Sequence, residues 1–86
     1  MNLRQQAHKL SPIIMVGKDG VTENVIEQIR LALKKKRIIK IKCIQSVADK
    51  QQAFEDILRG VNCKVVHKIG GVITISDPQY YLANTR

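Results

Sequence analysis

Aromatic side chains are scarce in this chain of 86 residues: tryptophan is missing, phenylalanine occurs once and tyrosine twice. Single-strand RNA binders of the RRM or OB type stack bases on exposed aromatic residues. Here Phe54 falls on an apolar helical stripe, which leaves only Tyr80 and Tyr81 near the C-terminus. Long apolar runs are also missing, and none approaches the roughly 18 residues that a membrane span needs. The opening "MNLRQQAHKL" lacks the apolar core and small-residue cleavage site of a secretory signal, so the expected compartment is cytoplasmic. Cysteine is limited to Cys43 and Cys63, with no CxxC and no histidine-rich partner motif. Neither a zinc site nor a redox pair is suggested by that spacing, which reads as two buried free thiols, a disulfide between neighbouring strands being the alternative. Acidic residues number seven against 15 lysines and arginines, a formal charge of +8 with a sequence pI near 9.9. In so small a chain this balance points to a polyanionic partner, nucleic acid before a membrane surface.

One domain is expected at this length, with a modest core. Leu3, Ala7 and Leu10 recur at helical spacing, giving a short helix over residues 2–9 that ends before Ser11 and Pro12. "PIIMVG" is a continuous apolar run and is read as a central, well-buried strand. Thr22 caps a helix over residues 22–35 whose stripe is Val25, Ile26, Ile29, Ala32 and Leu33. "IIKIKC" then alternates Ile39, Ile41 and Cys43 with Lys40 and Lys42, the period of a half-buried strand. Asp49 and Gln52 resemble a capping pair for a second amphipathic helix carrying Phe54, Ile57, Leu58 and Val61 and ending near Gly60. "CKVVHKI" and "VITIS", joined by Gly70 and Gly71, form a hairpin. Residues 79–86 show no clear periodicity and are read as a tail after a single domain over residues 1–78. The order is a helix, then β-α-β-α-β-β, with the first two strands parallel and the last two antiparallel: a two-layer α/β sandwich on a four-stranded mixed sheet.

The loop Gly17, Lys18, Asp19, Gly20 lies between a strand and a helix start. Residues without Cβ allow close approach of a phosphate, and a helix N-terminus offers unpaired N–H groups. A GxxG alone is equally the signature of a tight turn, and Asp19 weakens an anion pocket. Neither the P-loop nor the dinucleotide fingerprint is present. Lys34, Lys35, Lys36 and Arg37 suit a helix C-terminus through the macrodipole, a second RNA contact or, as a minority reading, a nuclear import signal. If Ile39, Ile41, Val65 and Ile69 face the helices, then Lys40, Lys42, Lys64 and Lys68 gather on the opposite sheet face. Enzyme constellations are weak: Ser11, Ser46 and Ser76 have no nucleophile-elbow context, and His8 and His67 have no metal-ligand spacing. Glu55 and Asp56 read as the wet face of a helix. No enzyme, cofactor or metal is expected.

The stretch "LRQQAHKLSPIIMVGKDGVTENVIEQI", followed by "IIKIKC" and "HKIGGVITISDP", resembles a single free-standing CRM domain of the YhbY-like family, over about residues 3 to 78. Such domains are similar in fold to the C-terminal domain of translation initiation factor three. The resemblance implies RNA binding, ribosomal precursors of the large subunit for stand-alone members, and a role for the loop at residues 17–20 like that of the GxxG loop of KH domains. The expected RNA contacts are Gly17, Lys18, Asp19, Gly20, Thr22, Arg30, Lys34, Lys35, Arg37, Lys40 and Lys42. Residues 34–37 sit about a helix length, roughly 18 Å, from the loop. Two rivals stay open. One is an Alba-like chromatin-type protein preferring duplex DNA or RNA; the other is a protein-interaction module using Ile38, Val66 and Val72 on the outer sheet face.

Overall fold

The computed structural model describes residues 2–44 and 50–84. Eight elements follow in order: α1 (Leu3–Lys9), β1 (Ile14–Val16), α2 (Glu23–Lys36), β2 (Ile38–Cys43), α3 (Lys50–Gly60), β3 (Lys64–Ile69), β4 (Val72–Ser76) and α4 (Pro78–Asn84). The strands form one four-stranded sheet in the order β1-β2-β4-β3, with β1 parallel to β2 and the other pairs antiparallel. The expected α/β sandwich is the observed one.

Its core lies between one sheet face and the pair α2 and α3. Ile39 and Ile41 pair with Ile75 and Ile73 across the β2–β4 ladder. These four side chains, with Ile29, Leu33, Phe54 and Ile57 from the helices, are buried in one cluster. The spacing of Ile29 and Leu33, and of Phe54 and Ile57, gives each helix a single apolar face to set on the sheet. Truncating one such side chain to alanine costs about 2 to 5 kcal/mol.

Several expectations change on contact with the tertiary structure. The apolar run at residues 12–17 is an edge strand rather than a central one, and only three of its residues join the ladder. Ile14 and Val16 face the core, while Met15 points the other way and is 62% exposed. The tail is also different, because residues 78–84 form α4. Asp77 starts it by accepting from the N–H groups of Gln79 and Tyr80, and Pro78 occupies the first helical position, where a missing N–H costs nothing. The Tyr80 hydroxyl then donates to Gln6 Oε1 at 2.7 Å, tying α4 to α1.

The supposed basic sheet face is divided. A β-bulge between Val65 and His67 inserts one unpaired residue, so Lys68 pairs with core-facing Ile73 and Lys64 with Ser76. Lys68 therefore stands on the helix side, where its Nζ lies 5.8 Å from the Phe54 ring centre and donates to Gln51 Oε1. Ile69, placed by simple alternation on the helix side, is on the outer side instead, opposite Val72. Part of that outer side is covered by α1, whose Leu3 and Ala7 are buried together with Ile38. The His8 and His67 rings meet at 5.3 Å between α1 and β3. Burial of Ile38 takes away one of the three side chains of the expected protein-docking patch. The disulfide alternative fails on topology: β4 separates β2 from β3, and Cys43 and Cys63 lie at opposite ends of the sheet as free thiols.

Candidate nucleic-acid interface

Beyond Val16 the chain reverses over residues 17–20, where the Gly20 N–H donates to the Gly17 carbonyl at 3.0 Å. Lys18 and Asp19 form the exposed tip, and neither has a positive φ, whereas Gly20 has φ +74°. This matches a type I turn closed by a left-handed glycine. The two glycines differ in what the fold demands of them. Gly20 is required by its backbone conformation. Gly17 has no positive φ, and a Cβ there would meet only Ile44 Cδ1 at 4.0 Å, an ordinary contact. Nothing in the packing explains why position 17 has no side chain.

Thr22 starts α2 through its Oγ1, which accepts from the Val25 N–H at 3.2 Å. Glu23 occupies the first turn and answers the helix dipole from within the chain. Next to it an open recess of ≈ 690 Å³ between α2 and the end of α3 is bordered by Glu23, Glu27 and Asp56. Those carboxylates repel phosphate on that flank of the loop. Arg30 belongs to the same recess: its Nε and Nη2 donate to the Gly60 carbonyl at 3.2 and 2.8 Å, and its Nη1 lies 3.5 Å from Glu27. It clamps the C-terminal end of α3 to α2.

The other expected contacts separate by sheet end. β1 and β2 run parallel with Val16 opposite Cys43, and Lys42 pairs with Val72 next to the β3–β4 turn. Loop 17–20, Lys42 and that turn therefore share one end of the sheet. Lys34, Lys35 and Lys36 are exposed in the last turn of α2, at the other end, where β2 begins. Arg37 ends the helix with φ 72°, and its guanidinium lies 3.5 Å from Asp77. Lys40 is half-buried in the middle of β2, while Lys42 is exposed.

Sequence reasoning missed Lys50, the first residue of α3. With Lys42 it borders an open recess of ≈ 480 Å³ at the loop end, together with Gly71 and Val72. A cation at a helix start opposes the macrodipole, and that was the available signal. Burial raises the Cys43 thiol pKa, which the charge of Lys50 partly offsets. Desolvation likewise lifts Cys63 to about 11, so both thiols stay protonated at neutral pH. The expected cap Asp49 and Ser46 lie outside the described residues. Among the described residues, no group of three or more His, Cys, Asp or Glu is arranged to hold a metal ion, and no helix is long and apolar enough to cross a membrane.

The model of the CRS1 / YhbY (CRM) domain matches residues 1–75, and so takes in the loop and every strand but the last residue of β4. The chain belongs to the CRM family. This CRM domain is 39% identical over 74 residues to a Bacillus subtilis protein named Probable RNA-binding protein YqeI, covering 85% of the chain and 77% of that relative. It is 36% identical to CRS2-associated factor 1 of rice chloroplasts, matching 83% of the chain but only 10% of that larger protein. Among solved structures, a hypothetical Staphylococcus aureus protein described as a candidate RNA binder superposes with a TM-score of 0.72 at 34% identity, over 87% of this chain and 79% of that one. The CRM domain thus occurs both in small proteins near this length and as a small part of long ones.

Proposed function

We propose that this CRM domain is a non-enzymatic RNA-binding protein that grips a structured RNA backbone through loop 17–20 and the basic residues beside it. The target is ribosomal RNA of the large-subunit precursor, bound during assembly in the cytoplasm. The observation that carries the reading is Gly17, where neither φ nor packing calls for glycine. A bare backbone at an exposed turn lets a sugar-phosphate chain approach, and Lys18 beside it supplies the charge. Family membership, the names of the relatives and the charge of +8 support the same conclusion. The carboxylate-lined recess on the α2 and α3 side directs the RNA toward Lys42 and Lys50. Lys34, Lys35 and Lys36 make a second contact only with an RNA long enough to span the sheet.

Gly17→Glu tests this directly, because a Cβ at this position meets only an ordinary contact within the fold, whereas a carboxylate there opposes the RNA backbone. Binding to a structured ribosomal RNA fragment is titrated at several salt concentrations for wild type, Gly17→Glu and Lys18→Ala. Both variants should melt like wild type and bind more weakly, with Lys18→Ala lowering the salt slope by about 0.7 to 0.9. Wild-type binding by a normally folded Gly17→Glu protein rejects the loop as the contact. Competition with duplex DNA separates this reading from the chromatin-type one.

A further inference from the structure

The outer sheet face has a row that α1 and α4 leave open. Reading across the ladder at the loop end, Met15 pairs with Lys42, Lys42 with Val72, and Val72 with Ile69. Directly paired residues share a face, so these four side chains stand side by side. The covered part of the face lies further along, where Ile38, Thr74 and Ser76 are buried and α1 packs against β2 and β3. Met15 is 62% and Ile69 67% exposed, high values for large apolar side chains on strands. Ile13, just before β1, adds another at 46%.

This row adjoins the proposed RNA contact, since Met15 is two residues before Gly17 in the chain. It also has a cation at its centre: Lys42 is exposed, and Lys50 stands with it around the adjoining recess. An apolar protein surface laid on this row would strand the Lys42 charge. A second copy would set lysine against lysine in a chain of net charge +8. A nucleotide instead offers an apolar ring face for Met15 and Ile69 together with a phosphate for Lys42.

We infer that the row Met15, Lys42, Val72 and Ile69 seats an unpaired nucleotide of the bound RNA, next to the paired segment held by loop 17–20. The inference rests on the RNA-binding reading and adds a strand-state preference to it. The protein recognises a junction between paired and unpaired RNA. Aliphatic side chains serve as the platform in a chain nearly without aromatic residues.

The test uses two RNAs with the same stem, one blunt and one carrying a short unpaired extension with 2-aminopurine at its first position. Wild type and the double variant Met15→Gln, Ile69→Gln are compared by fluorescence anisotropy and by 2-aminopurine emission. Both positions are exposed, so the variant should melt like wild type. Lys42→Ala, at another exposed position, provides a second measurement independent of the apolar pair. Wild type should favour the extended RNA, and the double variant should lose about fivefold of affinity for it, the low end of what base–aromatic stacking gives, while binding the blunt stem unchanged. Lys42→Ala should likewise reduce the preference, and both should erase the 2-aminopurine change. Equal wild-type affinity for the two RNAs overturns the inference and leaves the loop reading intact. Variants that keep the full preference overturn it too. Wild type that binds neither RNA overturns both readings.

Discussion

Replacing Gly71 with alanine tests how closely the β3–β4 turn is pressed against the end of β2. A Cβ at this position would sit 2.9 Å from the Cys43 carbonyl oxygen and 3.1 Å from Cδ and Cε of Lys50. The lysine stem can swing away. The carbonyl cannot, because the Cys43 N–H donates to the Gly71 carbonyl at 2.7 Å and fixes the two backbones together. Overpacking against a rigid neighbour costs about 1 to 3 kcal/mol. In a domain of this size each kcal/mol lowers Tm by about 4 to 8 °C, so Gly71→Ala should melt at least about 4 °C below wild type. Gly70 is the control: it has φ +56° and open space around a Cβ, so its penalty comes from conformation alone. Asparagine tolerates left-handed backbone, so Gly70→Asn should recover much of the stability lost in Gly70→Ala, whereas Gly71→Asn should not improve on Gly71→Ala. Thermal melts followed by circular dichroism, with urea midpoints as a second measure, decide the matter. An unchanged Tm for Gly71→Ala, or asparagine rescue at both positions, refutes the contact argument.

The Oγ1 of Thr74 is buried with no hydrogen-bond partner among the described residues, so Thr74→Val should stabilise by about 1 kcal/mol, and a clear loss in denaturant midpoint would show a partner for that hydroxyl. Removing the cap of α2 in Thr22→Ala should cost about 1 kcal/mol, while Thr22→Ser should stay near wild type; equal stability of all three proteins would dispose of the cap. The alkaline limb of stability has a defined sign. Burial holds the Cys63 thiol at about 11, so its contribution is complete below the ordinary thiol value of about 8.5 and disappears as pH climbs through the folded value. Cys63→Ala should flatten that limb in urea melts taken between these pH values, and an unaltered slope would contradict the assigned burial.

Much of this fold is legible locally, because α2, α3 and β2 each carry one unbroken periodicity. Ile29 and Leu33, or Ile39 and Ile41, need only their own neighbours in the chain to declare a buried face. The failures occur where the deciding partner is distant. Ile13 and Met15 look like the second face of a buried strand, and only the sheet order shows that this strand is an edge whose far side stays open. Lys68 is misplaced by alternation because a bulge one residue earlier is a property of the ladder with β4. The start of α4 was available in Asp77 and Pro78, a side-chain cap followed by proline, but the following residues lack an apolar stripe. Loop 17–20 and Lys42 were candidates from sequence, but that they share one end of the sheet follows only from the parallel β1–β2 register. Arg30 looked like a free cation because its carbonyl partner lies 30 positions away.

The bulge in β3 also bears on how this strand can vary between related chains. Val66 is the residue the ladder leaves uncounted, so removing it would join Val65 to His67 in regular alternation and preserve every facing on either side. Loss of Ile69 would instead, once the bulge closes to keep the turn in register, set His67 opposite Ile73 and Lys68 opposite Val72, each on the wrong layer. Position 66 is thus a length buffer. An insertion or deletion of one residue within this strand during divergence should settle there, leaving the turn at Gly70 and Gly71 in register with Cys43.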